Sequence, residues 1–190
     1  MTKPELRKKY IQLRNSLTGP EYLEVNRRLC DLFFLNVDLI AVAILHVFLP
    51  VAEKKEPDTY LIIDRLRREF PTLRIAIPKI NPESKELDAV YFEKDHHMVK
   101  NSWGIPEPVD GELVPPRKID LVIAPLLIFD GSGQRVGYGK GYYDKFLAQC
   151  RIDVKKIGLC AFPPEPKIDG INAFDIPLDY CVTPDRFYRF

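Results

Sequence analysis

The first part of the chain has the hydrophobic pattern of two amphipathic helices. Residues 3–17 interleave apolar side chains with basic ones at helical spacing. Thr18 and Glu21 then have the spacing of a capping box, with Pro20 in the first turn. A second helix is therefore predicted to begin at this box and to run to about Leu35.

The rest of the chain alternates buried strands with helices. Apolar segments with the length and composition of strands covered on both faces lie at residues 39–49, 73–78, 87–92, 119–125, 155–162 and 179–183. Helices are predicted from Asp58 or Thr59 to just before Pro71, and from Tyr142 to Cys150. This order predicts an α/β fold: a single-domain three-layer sandwich spanning residues 1–190, with a mainly parallel (mixed), Rossmann-like sheet and helices on both faces.

Composition and charge narrow the class of protein. The formal net charge is +1, which argues against a nucleic-acid partner, since such proteins normally carry a clear basic excess. The N-terminal sequence MTKPELRKKY is too polar for a signal peptide. The longest apolar run, residues 39–52, is too short to span a bilayer. We therefore expect a cytoplasmic protein with no membrane partner.

Cysteines and histidines carry little evidence of chemistry. Cysteines stand at positions 30, 150, 160 and 181 without a CxxC pair, which favours reduced, mostly buried thiols. His46 lies within an apolar strand and is expected to be a hydrogen-bonded core histidine. His96 and His97 are expected to be exposed loop residues.

Residues 131–144, GSGQRVGYGKGYYD, combine five glycines with Arg135 and Lys140. Glycines at this density allow sharp bends and close approach of the backbone to a ligand. The segment follows a buried strand and leads into a helix, the place where α/β proteins bind ligands. Freed backbone N–H groups, a helix start and two cations together predict a site for anionic oxygens.

Two common phosphate motifs do not fit this segment. In GxxxxGK[ST], Gln134 stands at the first glycine and Gly141 at the final Ser or Thr; in GxGxxG, Val136 stands at the third glycine. The longer stretch PLLIFDGSGQRVGYGKGYYDKFL instead resembles the signature of the 5-formyltetrahydrofolate cyclo-ligase family, and weaker family features flank it in order. The resemblance implies the ATP-dependent conversion of 5-formyltetrahydrofolate to 5,10-methenyltetrahydrofolate, ADP and phosphate.

The resemblance also implies an ATP site. The family's first helix carries K-x-x-L-R, matched by Lys3, Leu6 and Arg7, and Lys3 and Arg7 can share one face of a helix. The predicted ATP-binding residues are Lys3, Arg7, Gly133, Arg135, Val136, Gly137, Tyr138, Gly139, Lys140, Gly141 and Tyr142. Those assigned to catalysis are Lys140, Arg135 and Tyr143. No general base is assigned.

A folate site is implied by two further family segments. Glu56-Pro57-Asp58-Thr59 matches the segment whose glutamate holds the folate, although the loop before it is long enough to make Glu53 a rival. Trp103 lies in a W-x-I-P-x-P match and could stack on a pterin. The predicted substrate-binding residues are Leu49, Glu56, Trp103 and Tyr142.

Mg²⁺ is the implied cofactor, with ATP as co-substrate. Asp144 ends the GYYD run, and Asp175, close to Asp179, matches the family's C-terminal aspartate. Magnesium prefers hard oxygen ligands, often one or two carboxylates together with substrate phosphates. Asp144 and Asp175 are therefore the predicted metal ligands.

Two alternatives remain open at the level of sequence. One is a related ATP-dependent enzyme of the same architecture that acts on another formyl or amide group. The other is a non-catalytic nucleotide- or RNA-binding relative. The expected partners are small-molecule substrates, and a monomer is expected.

Overall fold

The computed structural model describes residues 1–93, 96–101 and 104–190. These residues form four α-helices: α1 (Lys3–Ser16), α2 (Gly19–Asn36), α3 (Tyr60–Glu69) and α4 (Tyr142–Gln149). Short 3₁₀ helices cover Ala52–Lys54 and Pro116–Lys118.

A sheet of seven strands forms the middle layer, in the spatial order β11-β10-β9-β6-β1-β2-β3. The strands are β1 (Ile44–Val47), β2 (Arg74–Ile80), β3 (Leu87–Tyr91), β6 (Leu121–Ala124), β9 (Lys155–Leu159), β10 (Tyr180–Val182) and β11 (Phe187–Arg189). The five inner strands pair in parallel, and the edge strands β3 and β11 pair antiparallel to their neighbours. The sheet is therefore mixed and mainly parallel, as predicted.

Helices cover both faces of this sheet. Side chains alternate along β1, so that Ile44 packs in the cluster that includes residues of α1 and α4, and Leu45 packs in the cluster with α2 and α3. Each face of the sheet is thereby closed by a pair of helices, and the predicted three-layer α/β fold class is confirmed.

Local signals in the sequence explain where helices begin. Thr18 accepts a hydrogen bond from the Glu21 amide at 3.4 Å, and the Glu21 carboxylate accepts one from the Thr18 amide at 2.7 Å, which is the predicted capping box of α2. At α3, Asp58 accepts from the Tyr60 amide at 3.1 Å. The hydroxyl of Thr59 instead donates to the Phe48 carbonyl at 2.7 Å, which fixes the loop after β1.

The apolar run at residues 39–49 is only partly a strand, which corrects the predicted length. Its first residues form a turn in which the Asp38 carboxylate accepts from the Ile40 amide at 3.0 Å, and Ile40 is 93% exposed. Only Ile44–Val47 pairs with neighbours, as β1. Phe48 and Leu49 come after the strand. Hydrophobicity alone did not mark these boundaries, because turn and strand are equally apolar here.

Two hairpins and the edge strand β11 lie outside the predicted elements. The hairpins join β4 (Met98–Lys100) to β5 (Pro106–Pro108), and β7 (Ile128–Phe129) to β8 (Arg135–Val136). The buried Asp130 carboxylate shapes the second hairpin by accepting hydrogen bonds from the backbone amides of Ser132 and Gln134. The glycine-rich segment is therefore divided into a hairpin turn and a second loop.

In the described ranges, no helix is both long and apolar enough to cross a bilayer.

His46 is a core residue of β1, but the expected hydrogen bond is absent. Its side chain is fully buried, and neither ring nitrogen has a partner among the described residues. The rings of Tyr143 and Phe146 lie 5.8 Å and 4.7 Å from the imidazole centroid. Burial lowers the pKa of His46 to about 3, so the imidazole is neutral in the folded protein at pH 7.

We expect His46 to make the protein sensitive to acid. The unfolded chain binds a proton near pH 6.5 while the folded chain does not, so the free energy of unfolding falls as pH decreases from about 6.5 towards 3. The loss reaches about 2 kcal/mol at pH 5. Urea unfolding of the wild type and His46→Leu between pH 7.5 and 4.5 measures it. The free energy of unfolding of His46→Leu should fall less with decreasing pH than that of the wild type. The control His97→Leu, at an exposed position, should behave like the wild type. Parallel plots of this free energy against pH for all three proteins would contradict the expectation.

Candidate active site

A cavity of about 380 Å³ opens at the carboxyl ends of the central strands. Its wall includes Phe48 and Leu49 after β1, Pro125 after β6, and Ile80 at the end of β2. The chain passes from β1 to β2 on one side and from β6 to β9 on the other, so the connections after these two neighbouring strands run in opposite directions. Such a switch point is where open α/β sheets bind ligands, and the volume lies within the range typical of ligand sites.

The glycine loop, defined as residues 137–141, joins β8 to α4 along the cavity wall. Gly139 and Gly141 have φ angles of 87° and 71°, a region that favours glycine. Gly141 is the N-cap of α4 and provides no side-chain bond to the first turn. The amides that begin α4 are therefore available to an anionic ligand.

Helix α1 fixes the position of this loop through Arg7. Nε of Arg7 donates to the Gly137 carbonyl at 2.9 Å. A Cβ atom added to Gly139 would lie only 3.0 Å from Cζ of Arg7, so the loop backbone passes the guanidinium at a distance that excludes a side chain without movement. Buried Leu6 and Tyr10 anchor α1 in the core, which holds Arg7 against the loop.

The predicted cations fall into two groups. Lys3 donates to Asp175, and Nη2 of Arg135 lies 2.8 Å from Oδ1 of Asp144, so both are paired with predicted metal ligands. Arg135 is buried and also donates to the Ile176 carbonyl. By contrast, Lys140 is exposed at the cavity and forms no ion pair with an acidic side chain of the described residues.

Asp144 and Asp175 both line the cavity, and each uses one oxygen for its bonds to protein. Oδ1 of Asp144 also accepts from the Ile176 amide at 3.2 Å, and Oδ2 of Asp175 also accepts from the Asn172 amide at 2.7 Å. Partial burial acts to raise the pKa of Asp175, but hydrogen bonds from Lys3 and the Asn172 amide outweigh it, and the pKa is lowered. The Asp175 carboxylate is therefore ionised at neutral pH and presents hard oxygen atoms to the cavity.

The structure separates the two candidate glutamates. Glu56 is buried in the cavity wall, where Oε2 accepts from the Val51 amide at 2.7 Å and Oε1 accepts from the Tyr138 hydroxyl. Glu53 lies on the surface, paired with Lys100 at 2.8 Å. Of these two candidates, Glu56 is therefore the one that a ligand in the cavity can reach.

The lining of the cavity is largely apolar. Leu49 and Tyr142 both line the cavity, as do several other apolar side chains, among them Phe48, Val51, Pro78, Ile80, Leu87 and Ile105. Tyr143 also lines it; its hydroxyl is buried and has no hydrogen-bond partner among the described residues. Burial, with a smaller effect of Glu56, raises the pKa of Tyr143 well above its usual value, so the hydroxyl keeps its proton as a donor.

Two predicted site residues do not line the cavity, and a third is not among the described residues. Gly133 lies in the turn of the β7–β8 hairpin, where an added Cβ would meet the Leu178 carbonyl at 2.7 Å and the Phe190 ring. Val136 is fully buried in the core. Neither is among the residues that line the cavity. Trp103 lies outside the described residues.

One buried cation beside the cavity escaped the sequence analysis. Arg14 on α1 is 3% exposed, and its Nη2 donates to the hydroxyl of Tyr138. It was passed over because it has no place in the K-x-x-L-R pattern. The available signal was its position four residues after Tyr10, on the apolar stripe of the helix.

The fold and the cavity together define a class of α/β protein in which a glycine loop beside cationic side chains and a buried glutamate share the wall of one cavity. Residues 1–162 match the model of the "5-formyltetrahydrofolate cyclo-ligase family". The chain therefore belongs to this family, which is a family of ligases, and the resemblance found in the sequence is confirmed.

Individual relatives agree with this assignment. The chain is 34% identical over 156 residues to the "Probable 5-formyltetrahydrofolate cyclo-ligase" of Schizosaccharomyces pombe, covering 72% of each chain. It is 27% identical over 183 residues to the 5-formyltetrahydrofolate cyclo-ligase of Escherichia coli, covering 94% of this chain and 98% of the relative.

Solved structures support the same fold. The 5,10-methenyltetrahydrofolate synthetase of Aquifex aeolicus superposes with a TM-score of 0.78 at 26% identity, over 100% of this chain and 93% of that one. A Mycoplasma pneumoniae protein titled a 5,10-methenyltetrahydrofolate synthetase superposes with a TM-score of 0.73 at 20% identity, over 97% and 99%. At that lower identity the likeness supports the fold alone.

We expect Gly139→Ala to weaken binding of MgATP at least fivefold. The added methyl meets the Arg7 guanidinium at 3.0 Å, and a side chain at a φ of 87° costs about 1–2 kcal/mol. Calorimetric titration with MgATP measures the effect. Gly131→Ala is the matched control, since Gly131 has no positive φ and its added Cβ meets nothing within 4 Å. Equal affinities of the two variants would show that the loop conformation is irrelevant to nucleotide binding.

Proposed function

We propose that this chain catalyses the ATP-dependent cyclisation of 5-formyltetrahydrofolate to 5,10-methenyltetrahydrofolate. The formyl oxygen attacks the γ-phosphorus of ATP, the bond to the bridging oxygen breaks, and ADP leaves. The formyl carbon becomes an iminium phosphate. N10 then attacks this carbon, N10 loses its proton, and the carbon–oxygen bond breaks to release phosphate and close the ring.

The observation that supports this function is that one cavity is lined both by cations with a glycine loop and by a buried glutamate with apolar side chains. Arg7, Lys140 and the glycine loop suit phosphate oxygens, and we assign them to the phosphate end of the bound substrates. Glu56 and the apolar lining suit a flat ring with polar N–H groups, and we assign them to the folate end. The two ends meet where Tyr138 of the loop bonds to Glu56, and a reaction that transfers phosphate from a nucleotide to a bound folate needs both in one space.

Nucleotide binding is assigned to groups that point cations or amides at the cavity. Arg7 and Lys140 offset the charge of the phosphates, while the backbone of the glycine loop and the first turn of α4 donate to phosphate oxygens. Phosphoryl transfer depends mainly on such positioning and charge stabilisation. Lys3 and Arg135 take part through the carboxylates that they hold.

Mg²⁺ fits the donor set at the phosphate end. Asp144 and Asp175 line the cavity, and their protein bonds use Oδ1 and Oδ2 respectively, so each has a second hard oxygen for a ligand. Magnesium is commonly held by one or two carboxylates together with substrate phosphates and waters. Among the described residues no group of three or more candidate metal ligands occurs. When bound, Mg²⁺ neutralises charge on the transferring phosphoryl group.

The folate end is assigned to Glu56, Leu49 and Tyr142, with Trp103 proposed from the sequence alone. The Tyr143 hydroxyl is a buried, protonated donor in the cavity wall, suited to an oxygen that gains negative charge during the reaction. We further propose that residues 1–190 form one cyclo-ligase domain. It acts as a cytoplasmic monomer on small-molecule substrates, without a nucleic-acid or membrane partner.

The function is tested by absorbance of the methenyl product after mixing the protein with 5-formyltetrahydrofolate. We expect a rise only when ATP and Mg²⁺ are both present, and its loss when the metal is removed by a chelator. Phosphate release should equal the methenyl formed. Binding of ATP without a rise in absorbance would reject the folate half of the proposal, and a panel of other formyl and amide acceptors would then test the related-enzyme alternative.

We expect Lys140→Ala to lower turnover at least tenfold while the protein stays folded, because an unpaired ammonium that faces the phosphates is lost. Steady-state rates at saturating substrates and a thermal melt measure the two effects. Lys145→Ala is the matched control: Lys145 is exposed on α4 and does not line the cavity, so its loss should change turnover less than twofold. Near-normal turnover of Lys140→Ala would remove the residue from catalysis.

A further inference from the structure

Arg14 is a buried guanidinium without a carboxylate partner. Its residue exposure is 3%, and among the described residues no acidic side chain lies within ion-pair distance. Its Nε is also without a hydrogen-bond partner in that part of the chain. Buried charges are normally paired, because the cost of removing them from water is otherwise high. A residue kept in such a place requires an explanation.

The partner of Arg14 is the hydroxyl of Tyr138. Nη2 of Arg14 donates to this oxygen, and Cζ lies 5.5 Å from the centroid of the tyrosine ring. A guanidinium can only donate, so the phenolic oxygen must accept from it and direct its own proton elsewhere. Burial, together with the nearby Glu56, raises the pKa of Tyr138, so this proton is retained at neutral pH.

The proton of Tyr138 points to Glu56. The hydroxyl donates to Oε1, and the Val51 amide donates to Oε2 at 2.7 Å. Both bonds suit the ionised carboxylate, which only accepts. An ionised carboxylate has about four acceptor sites, so each oxygen keeps a further lone pair for a ligand in the cavity that Glu56 lines. We call this chain of contacts the Arg14–Tyr138–Glu56 relay.

Hydrogen bonds also hold the backbone around Glu56 in place. The Tyr22 hydroxyl donates to the Glu56 carbonyl at 2.7 Å, and the Lys55 ammonium donates to the Asn15 carbonyl at 2.6 Å. These bonds fix the main chain but not the side-chain torsions. The relay and the Val51 amide are the contacts that determine the direction of the carboxylate itself.

We propose that Arg14 and Tyr138 are positioning residues for the folate half of the site. Arg14 orients the Tyr138 hydroxyl, and this hydroxyl holds Glu56 as an acceptor for N–H donors on the reduced pteridine. The proposal rests on the proposed function, because it takes 5-formyltetrahydrofolate as the occupant of that half. Tyr138 was predicted to bind ATP as a member of the glycine loop, whose backbone is assigned to the phosphates, but its hydroxyl and the Arg14 side chain are directed at Glu56. Loss of these two groups should therefore affect folate far more than ATP.

Tyr138→Phe is the direct test, because it removes only the hydroxyl. We expect the KM for 5-formyltetrahydrofolate to rise about tenfold, while the KM for ATP and kcat change less than twofold. Calorimetric binding of 5-formyltetrahydrofolate without ATP should weaken by a similar factor. Tyr60→Phe, on the outer part of α3, is the matched control and should match the wild type in every constant.

Arg14 is tested with Arg14→Met and Arg14→Lys, each checked by a thermal melt. Arg14→Met should raise the KM for folate as Tyr138→Phe does, and Arg14→Lys should restore part of the loss, because it keeps a donor and a charge. The double variant Arg14→Met with Tyr138→Phe should be little worse than either single variant, since both act through one contact. If the Arg14 variants fail to fold, Tyr138→Phe still decides the matter.

The outcomes separate the two proposals. Equal rises in the KM for folate and for ATP, or no change in Tyr138→Phe, would overturn the relay while leaving the proposed function intact. A wild type that binds 5-formyltetrahydrofolate but forms no methenyl product would reject the proposed function, and folate binding by the variants would still test the relay. A wild type that does not bind this folate at all would overturn both.

Discussion

The close contact between Arg7 and the glycine loop is the constraint on which the phosphate end of the cavity depends. The loop can follow its path only because Gly139 has no side chain, and the guanidinium holds the loop through the Gly137 carbonyl. Arg7 is placed in turn by the burial of Leu6 and Tyr10 in the core. Packing of one helix thus determines where α4 presents its first amides.

Much of the charge around the cavity is paired, although Lys140 has no ion-pair partner among the described residues. Lys3 is paired with Asp175, Arg135 with Asp144, and Arg14 reaches Glu56 through Tyr138. Such pairing limits the cost of placing so many charges in a partly buried space. When a nucleotide and its metal bind, the cation of each pair can move to a phosphate while its carboxylate binds the metal. Both members of the pair then still have a partner of opposite charge.

The sequence predicted those features that depend on local patterns. The capping box of α2 and the inner parallel strands follow from spacing and periodicity. The joint role of Lys3, Arg7, Lys140 and Asp175 was implied by the resemblance to the family, and the four residues do line one cavity. Features that depend on tertiary contacts were missed or misjudged. The β7–β8 hairpin placed Gly133 away from the cavity, His46 lacks its expected partner, and Arg14 acquires its role only because Tyr138 lies beside it in space.

The bond between Lys3 and Asp175 joins residues 172 positions apart in the chain, and this separation affects how the protein is made. A ribosome adds about 5–20 residues per second, so α1 exists for roughly 10–30 seconds before Asp175 is synthesised. Throughout that interval α1 lacks its acidic partner and the strands β10 and β11. The cavity is therefore completed late in synthesis, and contacts of such long range are expected to make its assembly a slow step of folding.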